Sequence, residues 1–215
     1  MKIGVLGTGM VGNAIATKLF QMGHTVKMGS RSATNEKGAA WVKASGPNAS
    51  QGTFADAAAF GEMIFNCTNG MGALDALKQA GAGNLRGKVV IDISNPLDFS
   101  KGMPPSLTVC NTDSLGEQIQ RAYPDAKVVK TLNTVNCAMM VNPGLVPGEH
   151  DVFICGNDAG AKSKAEEMLK KFGWKSIIDL GDITNARATE MLLPIWVRLY
   201  GKFQSPMFNF KIVRP

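Results

Sequence analysis

Six residues near the start of the chain, Gly7-Thr8-Gly9-Met10-Val11-Gly12, have the types and spacing that cradle a pyrophosphate. The chemistry is that of backbone amides. Gly7 permits a tight turn, Gly9 lets the backbone approach an anion, and Gly12 lets a helix pack close to the preceding strand. Amide groups at the helix start, with the positive end of the helix dipole, then face the phosphates. A glycine repeat alone is a weak signal, since it also suits a turn with no ligand. Here it follows the β-branched stretch Lys2–Leu6 and opens an amphipathic stretch, Met10–Met22, which is the context the motif requires.

The next chemistry lies at the end of the second strand. An acid about 20 residues past the loop would hold the ribose 2′-hydroxyl of an unphosphorylated dinucleotide. The chain instead has Gly29-Ser30-Arg31-Ser32, with no acid until Glu36. A guanidinium and two hydroxyls suit a 2′-phosphate through charge-assisted hydrogen bonds, and Lys37 adds a second cation. The serines could equally cap the next helix. The expectation is an NADP(H) site made by Gly7–Gly12, Ser30, Arg31, Ser32 and Lys37.

Three further polar pairs fall at carboxyl ends of expected strands, where open α/β sheets bind ligands. They are Asn69-Gly70, Asn95-Pro96 and Asn133-Thr134. The first two also read as ordinary turn residues. Asn133 and Thr134 fall on the far side of the sheet, where the nicotinamide is expected. No side chain declares itself catalytic. His24 sits in a turn, His150 reads as solvated, and neither has a partner for proton transfer. The four cysteines, Cys67, Cys110, Cys137 and Cys155, lack metal-ligand spacing, so no metal is expected.

These residues need a scaffold. Expected strands are Lys2–Leu6, Thr25–Met28, a short one near Gln51–Phe54, Met63–Cys67, Lys88–Ile93, Val128–Thr131, Val152–Cys155 and Ser176–Ile178. Expected helices are Met10–Met22, Asn35–Ala44, Phe54–Phe60, Met71–Ala80, Ser114–Ala122, Ala159–Phe172 and Asn185–Tyr200, the last kinked or broken at Pro194. The alternation predicts an α/β, Rossmann-type, doubly wound and mostly parallel sheet with a small C-terminal α/β extension. The expected division is a dinucleotide-binding domain over residues 1–150 and a smaller unit over 151–215. Asn95–Thr112 and Asn142–His150 read as loops. The stripe Met191, Leu192, Ile195, Trp196 and Leu199 reads as core or dimer contact.

Composition sets the outer bounds. With 45% hydrophobic and 19% charged residues the chain can bury a core. The net charge of +6 is scattered rather than clustered, so nucleic acid is not an expected partner. No apolar run is long enough to cross a membrane. Cysteine usage fits a reducing, cytoplasmic setting.

The segments Gly7–Gly12, Gly29-Ser30-Arg31, Val128–Thr134, Cys155-Gly156-Asn157-Asp158 and the Asn185–Gly201 helix resemble the NADPH:deazaflavin oxidoreductases, which depend on coenzyme F420. Arg187 and the Glu190-Met-Leu-Leu-Pro-Ile run look like that family's C-terminal helix. The Asp92–Asn95 and Lys130–Thr134 stretches are also similar to the cytosolic NADPH domain of six-transmembrane metalloreductases, whose membrane half is not in this chain. The resemblance implies NADPH in the glycine loop, its 2′-phosphate on Ser30 and Arg31, and Cys137 and Ala138 beside the nicotinamide. It implies a planar second ligand, deazaflavin or flavin, and a homodimer. Two features depart from the family: Asn69 stands where proline is usual, and Asn95–Thr112 is longer. Both flank the second-ligand pocket. The acceptor stays open among deazaflavin, flavin and another small oxidant. A reductase of a small imine or ketone, a non-catalytic NADPH sensor and a soluble electron donor to a membrane protein are the competing readings.

Overall fold

The computed structural model describes residues 1–215. Its strands are β1 (Lys2–Leu6), β2 (Thr25–Ser30), β3 (Ala49–Thr53), β4 (Met63–Asn66), β5 (Val89–Asp92), β6 (Leu97–Asp98), β7 (Ser106–Leu107), β8 (Lys127–Thr131), β9 (Asp151–Gly156) and β10 (Ser176–Asp179). Its helices are α1 (Met10–Gln21), α2 (Glu36–Ser45), α3 (Phe54–Phe60), α4 (Ala73–Ala80), α5 (Ala82–Leu85), α6 (Leu115–Ala122), α7 (Cys137–Val141), α8 (Ala159–Phe172), α9 (Ala186–Met191) and α10 (Leu193–Phe203).

Eight strands form one sheet in the order β10-β9-β8-β5-β4-β1-β2-β3. From β3 to β8 all neighbours are parallel. Strand β9 runs antiparallel to β8, pairing Lys130 with Cys155, and β10 lies parallel to β9. The central strands are buried on both faces, which explains their near-continuous apolar sequence. One face packs Ile3, Val5 and Phe65 against Ile15 and Leu19 of α1, Trp41 of α2, Met139 of α7 and Phe172 of α8. The other packs Leu6, Ile64 and Val90 against Ala57 of α3, Leu77 of α4 and Ile119 of α6. The C-terminal segment adds β9 and β10 to this sheet, and its last residues fold back along it: the Asp151 amide donates to the Phe210 carbonyl at 2.9 Å.

The doubly wound α/β expectation holds, with local corrections. Strand β3 begins two residues earlier than expected and ends at Thr53, which caps α3 through a capping box with Asp56. The helix expected from Met71 starts at Ala73, after a 3-10 turn over Gly70–Gly72. The Asn95–Thr112 loop contains the hairpin β6–β7, pairing Leu97 with Leu107. Helix α7 was not anticipated. The break at Pro194 is confirmed: α9 ends at Met191 and α10 takes the proline in its first turn, where a missing N–H costs nothing. The face of α10 that is buried carries Leu193 and Val197, whereas Met191 and Ile195 are exposed. His150 is not simply solvated. Its Nε2 faces the Pro143 carbonyl at 3.1 Å and its Nδ1 faces Asn209 Nδ2 at 2.9 Å.

Candidate functional site

The glycine loop joins β1 to α1 at the carboxyl edge of the sheet. Gly7 has φ of 111°, and its N–H donates to the Gly29 carbonyl at 2.8 Å, tying the loop to the end of β2. A side chain on Gly12 would strike the Gly7 carbonyl oxygen. A side chain on Gly9 would meet nothing within 4 Å. Gly9 is also the N-cap of α1, with no side chain capping it and no acid in the first turn. The helix start therefore opens on free space, which fits an anion. Thr8, Gly9 and Met10 line a hollow of about 800 Å³ together with Lys37 and Cys137.

At the end of β2, Ser30 is buried. Its hydroxyl donates to the Ser32 carbonyl at 2.6 Å, which tightens the turn that presents Arg31. Capping of α2 falls to Asn35, which accepts from the Gly38 amide at 3.1 Å, so the serines are not needed for it. The Ser32 hydroxyl instead accepts from the Thr34 amide at 3.3 Å. Arg31 and Lys37 are exposed, and neither pairs with a carboxylate. Arg31 lines a hollow of about 520 Å³ with Phe54, Thr68, Asn69 and Gly72, while Lys37 lies on the glycine-loop hollow. Asn69 caps the turn that follows β4, its side-chain oxygen accepting from the Met71 amide at 3.0 Å, and it lines the same hollow as Arg31. Gly70 is where the Asn95 backbone passes: a side chain there would collide with the Asn95 carbonyl oxygen.

The far end of the crevice is built from β5, β8 and α9. Asn95 Nδ2 donates to the Asn133 carbonyl at 2.8 Å, and Asn133 Nδ2 donates to Asn95 Oδ1 and to the Thr189 carbonyl, both at 3.1 Å. Two acceptors thus fix the amino group of Asn133 and leave its Oδ1 without a partner on the chain. Leu132, just before it, has φ of 61°, an uncommon backbone for a bulky residue. Thr134 is buried. Cys137 and Ala138 begin α7, whose N-cap Asn136 accepts from the Ala138 amide at 3.0 Å.

Beneath this end lies an ionic cluster that reasoning from the sequence missed. Lys130 Nζ, fully buried, sits 2.8 Å from Asp92 Oδ2 and 2.8 Å from Glu190 Oε1. Burial alone would lower the lysine pKa; the two carboxylates outweigh it and raise the value to about 12. Asp92 also accepts from Asn66 at 2.7 Å and from the Ser94 hydroxyl at 2.7 Å. Glu190 accepts from the Leu115 and Gly116 amides at 2.8 and 3.0 Å, where its charge meets the N-terminus of α6. Nearby, Arg187 of α9 grips Glu117 of α6, with Nε 2.8 Å from Oε2. Asp92 and Lys130 stand out in the sequence as charged residues inside β-branched runs, whereas Glu190, in the Thr189-Glu190-Met191 stretch, does not.

The family described as NADP oxidoreductase, coenzyme F420-dependent, matches residues 2–96. The F420-dependent NADP reductase of Methanocaldococcus jannaschii is 28% identical over 222 residues, covering 99% of this chain and 98% of that one. Metalloreductase STEAP3 of Rattus norvegicus is 31% identical over 202 residues; the match covers 91% of this chain but 38% of that protein. A solved structure from Arthrobacter sp. FB24, described provisionally as an F420-dependent NADP-reductase, is 52% identical, covers 100% of both chains and has a TM-score of 0.95. No helix of this chain is long and apolar enough to cross a membrane. A glycine loop open to an anion, a free arginine at the end of β2 and the full-length likeness to the Methanocaldococcus reductase and the Arthrobacter structure agree: the chain belongs to the coenzyme F420-dependent NADP oxidoreductase family, a family of enzymes.

Proposed function

We propose that this protein transfers hydride between NADP(H) and a planar deazaflavin- or flavin-like acceptor. The observation that carries this reading is the state of the charged side chains at the far end of the crevice. Asp92, Lys130 and Glu190 are buried and spent on one another. No histidine lies with them. Reduction of an imine or ketone calls for a proton donor at the reacting atom, and this group offers none. Exchange between two ring systems needs alignment and exclusion of water instead.

The fit to the dinucleotide is supported at both ends. The amides at the start of α1 would hold the pyrophosphate, and Ser30 and Arg31 the 2′-phosphate. The free Asn133 Oδ1 would accept from the nicotinamide carboxamide, with Asn95 and Thr189 holding that amide in one orientation. When bound, NADPH supplies the hydride. The chain's own residues position and shield.

An anaerobic screen of NADPH oxidation against F420, FMN, FAD, ferric chelates, quinones and cyclic imines tests this. Turnover is expected with a deazaflavin or flavin and not with the imines. Tight NADPH binding with no oxidation by any acceptor would instead mark a sensor.

A further inference from the structure

The hairpin β6–β7 follows β5, yet it reaches the region of β2. Strands β5 and β2 are separated in the sheet by β4 and β1. Even so, Phe99, just past β6, lines the same hollow as Arg31 from the end of β2. The crossing depends on Gly70, whose missing side chain lets the Asn95 backbone pass against the turn after β4. The hairpin is held in shape by its own bonds. The Thr108 amide donates to the Pro96 carbonyl at 2.8 Å, and the Ser100 amide donates to Asp98 Oδ1 at 2.8 Å.

Phe99 is 51% exposed on this hydrogen-bonded turn. An exposed aromatic ring in a hollow of about 520 Å³ that also holds an unpaired guanidinium suits a flat heteroaromatic group. Phe54 adds an apolar surface, and Asp75 is the hollow's one carboxylate. Asp75 Oδ2 already accepts from Gln79 at 2.7 Å. A carboxylate there suits an exocyclic amine and disfavours a second anionic group beside Arg31.

We propose that Phe99 is an aromatic wall of the adenine subsite, so that the hairpin after β5 sets affinity for the adenosine half of NADP(H). The proposal rests on the NADP(H) reading above. It makes Phe99 a specificity residue supplied by the hairpin β6–β7. The same short stretch carries Asn95 at the nicotinamide end, so one loop serves both halves of the dinucleotide.

Calorimetric titration with 2′,5′-ADP and with NADPH tests it. Phe99→Ala is expected to weaken both by about tenfold, the order expected for losing a base stacked on an aromatic ring. Phe99→Trp should restore binding, and Phe99→Leu, apolar but not aromatic, should not. The melting temperature should be unchanged, since the ring is exposed. If the wild type binds 2′,5′-ADP and Phe99→Ala binds it within about twofold, the hairpin has no part in the subsite. If the wild type does not bind 2′,5′-ADP, the NADP(H) reading fails, and this inference with it.

Discussion

A ribose 2′-phosphate carries more than one negative charge and several acceptor oxygens, and a guanidinium meets it with parallel donors. Arg31 is placed for this by local geometry. Ser30 folds its hydroxyl back onto the Ser32 carbonyl, and Arg31 between them is exposed. That much was legible in the sequence, because a strand end and two serines flanking an arginine determine it. The glycine loop was legible for the same reason. Lys37, in the first turn of α2, lines the glycine-loop hollow. Arg31→Ala should weaken NADPH binding roughly 10- to 100-fold, the range for a lost hydrogen bond to a charged group. NADH binding should barely change, because NADH lacks the phosphate. Unchanged NADPH affinity by fluorescence titration would remove Arg31 from the site.

Elements, not single residues, assemble the far end of the crevice. Helix α9 is only six residues long, yet it carries Arg187, Thr189 and Glu190, which reach α6, Asn133 and Lys130 respectively. Nothing in local sequence announces this, because the partners lie tens of residues away. The hairpin β6–β7 was hidden for a different reason. Its two-residue strands are too short to show alternation, and prolines nearby argue against strand. Helix α7, at five residues, likewise shows no period. The clasp between α9 and α6 has a pH signature. The Arg187 hydrogen bond holds the Glu117 carboxyl below its ordinary value, against burial, which raises it. The folded pKa is thus lower than the unfolded one, so the stabilisation is present above about pH 4 and is lost as pH falls through the folded value. Glu117→Gln should therefore melt at a lower temperature near neutrality and show a shallower fall from about pH 5 to pH 3. Parallel pH profiles for the two proteins would show that the ion pair does not stabilise the fold.

At the scale of the molecule, strands β3-β2-β1-β4-β5-β8 reproduce the dinucleotide-binding strand order, and β9 and β10 widen the sheet beyond it. The pattern of strands and helices was readable because buried parallel strands must be apolar on both faces. What the sequence left undecided was which face of α10 the fold would cover. The exposed residues Met191, Ile195, Tyr200 and Phe203, with Trp196 stacked 5.3 Å from Phe208, form an apolar and aromatic surface around the C-terminal helix. We propose that two copies pair through it. Ile195→Glu should then sediment as a folded monomer, and a wild-type-like assembly would take α10 out of the interface. In the proposed reaction hydride passes directly to a planar ring, with no protein acid or base. Single-turnover reaction of NADPH deuterated at nicotinamide C4 with F420 tests this most directly. Deuterium recovered on the deazaflavin carbon, in step with NADP⁺ formation, is the predicted result. NADPH that binds but passes no deuterium to F420, and is not oxidised by FMN or FAD, would contradict it.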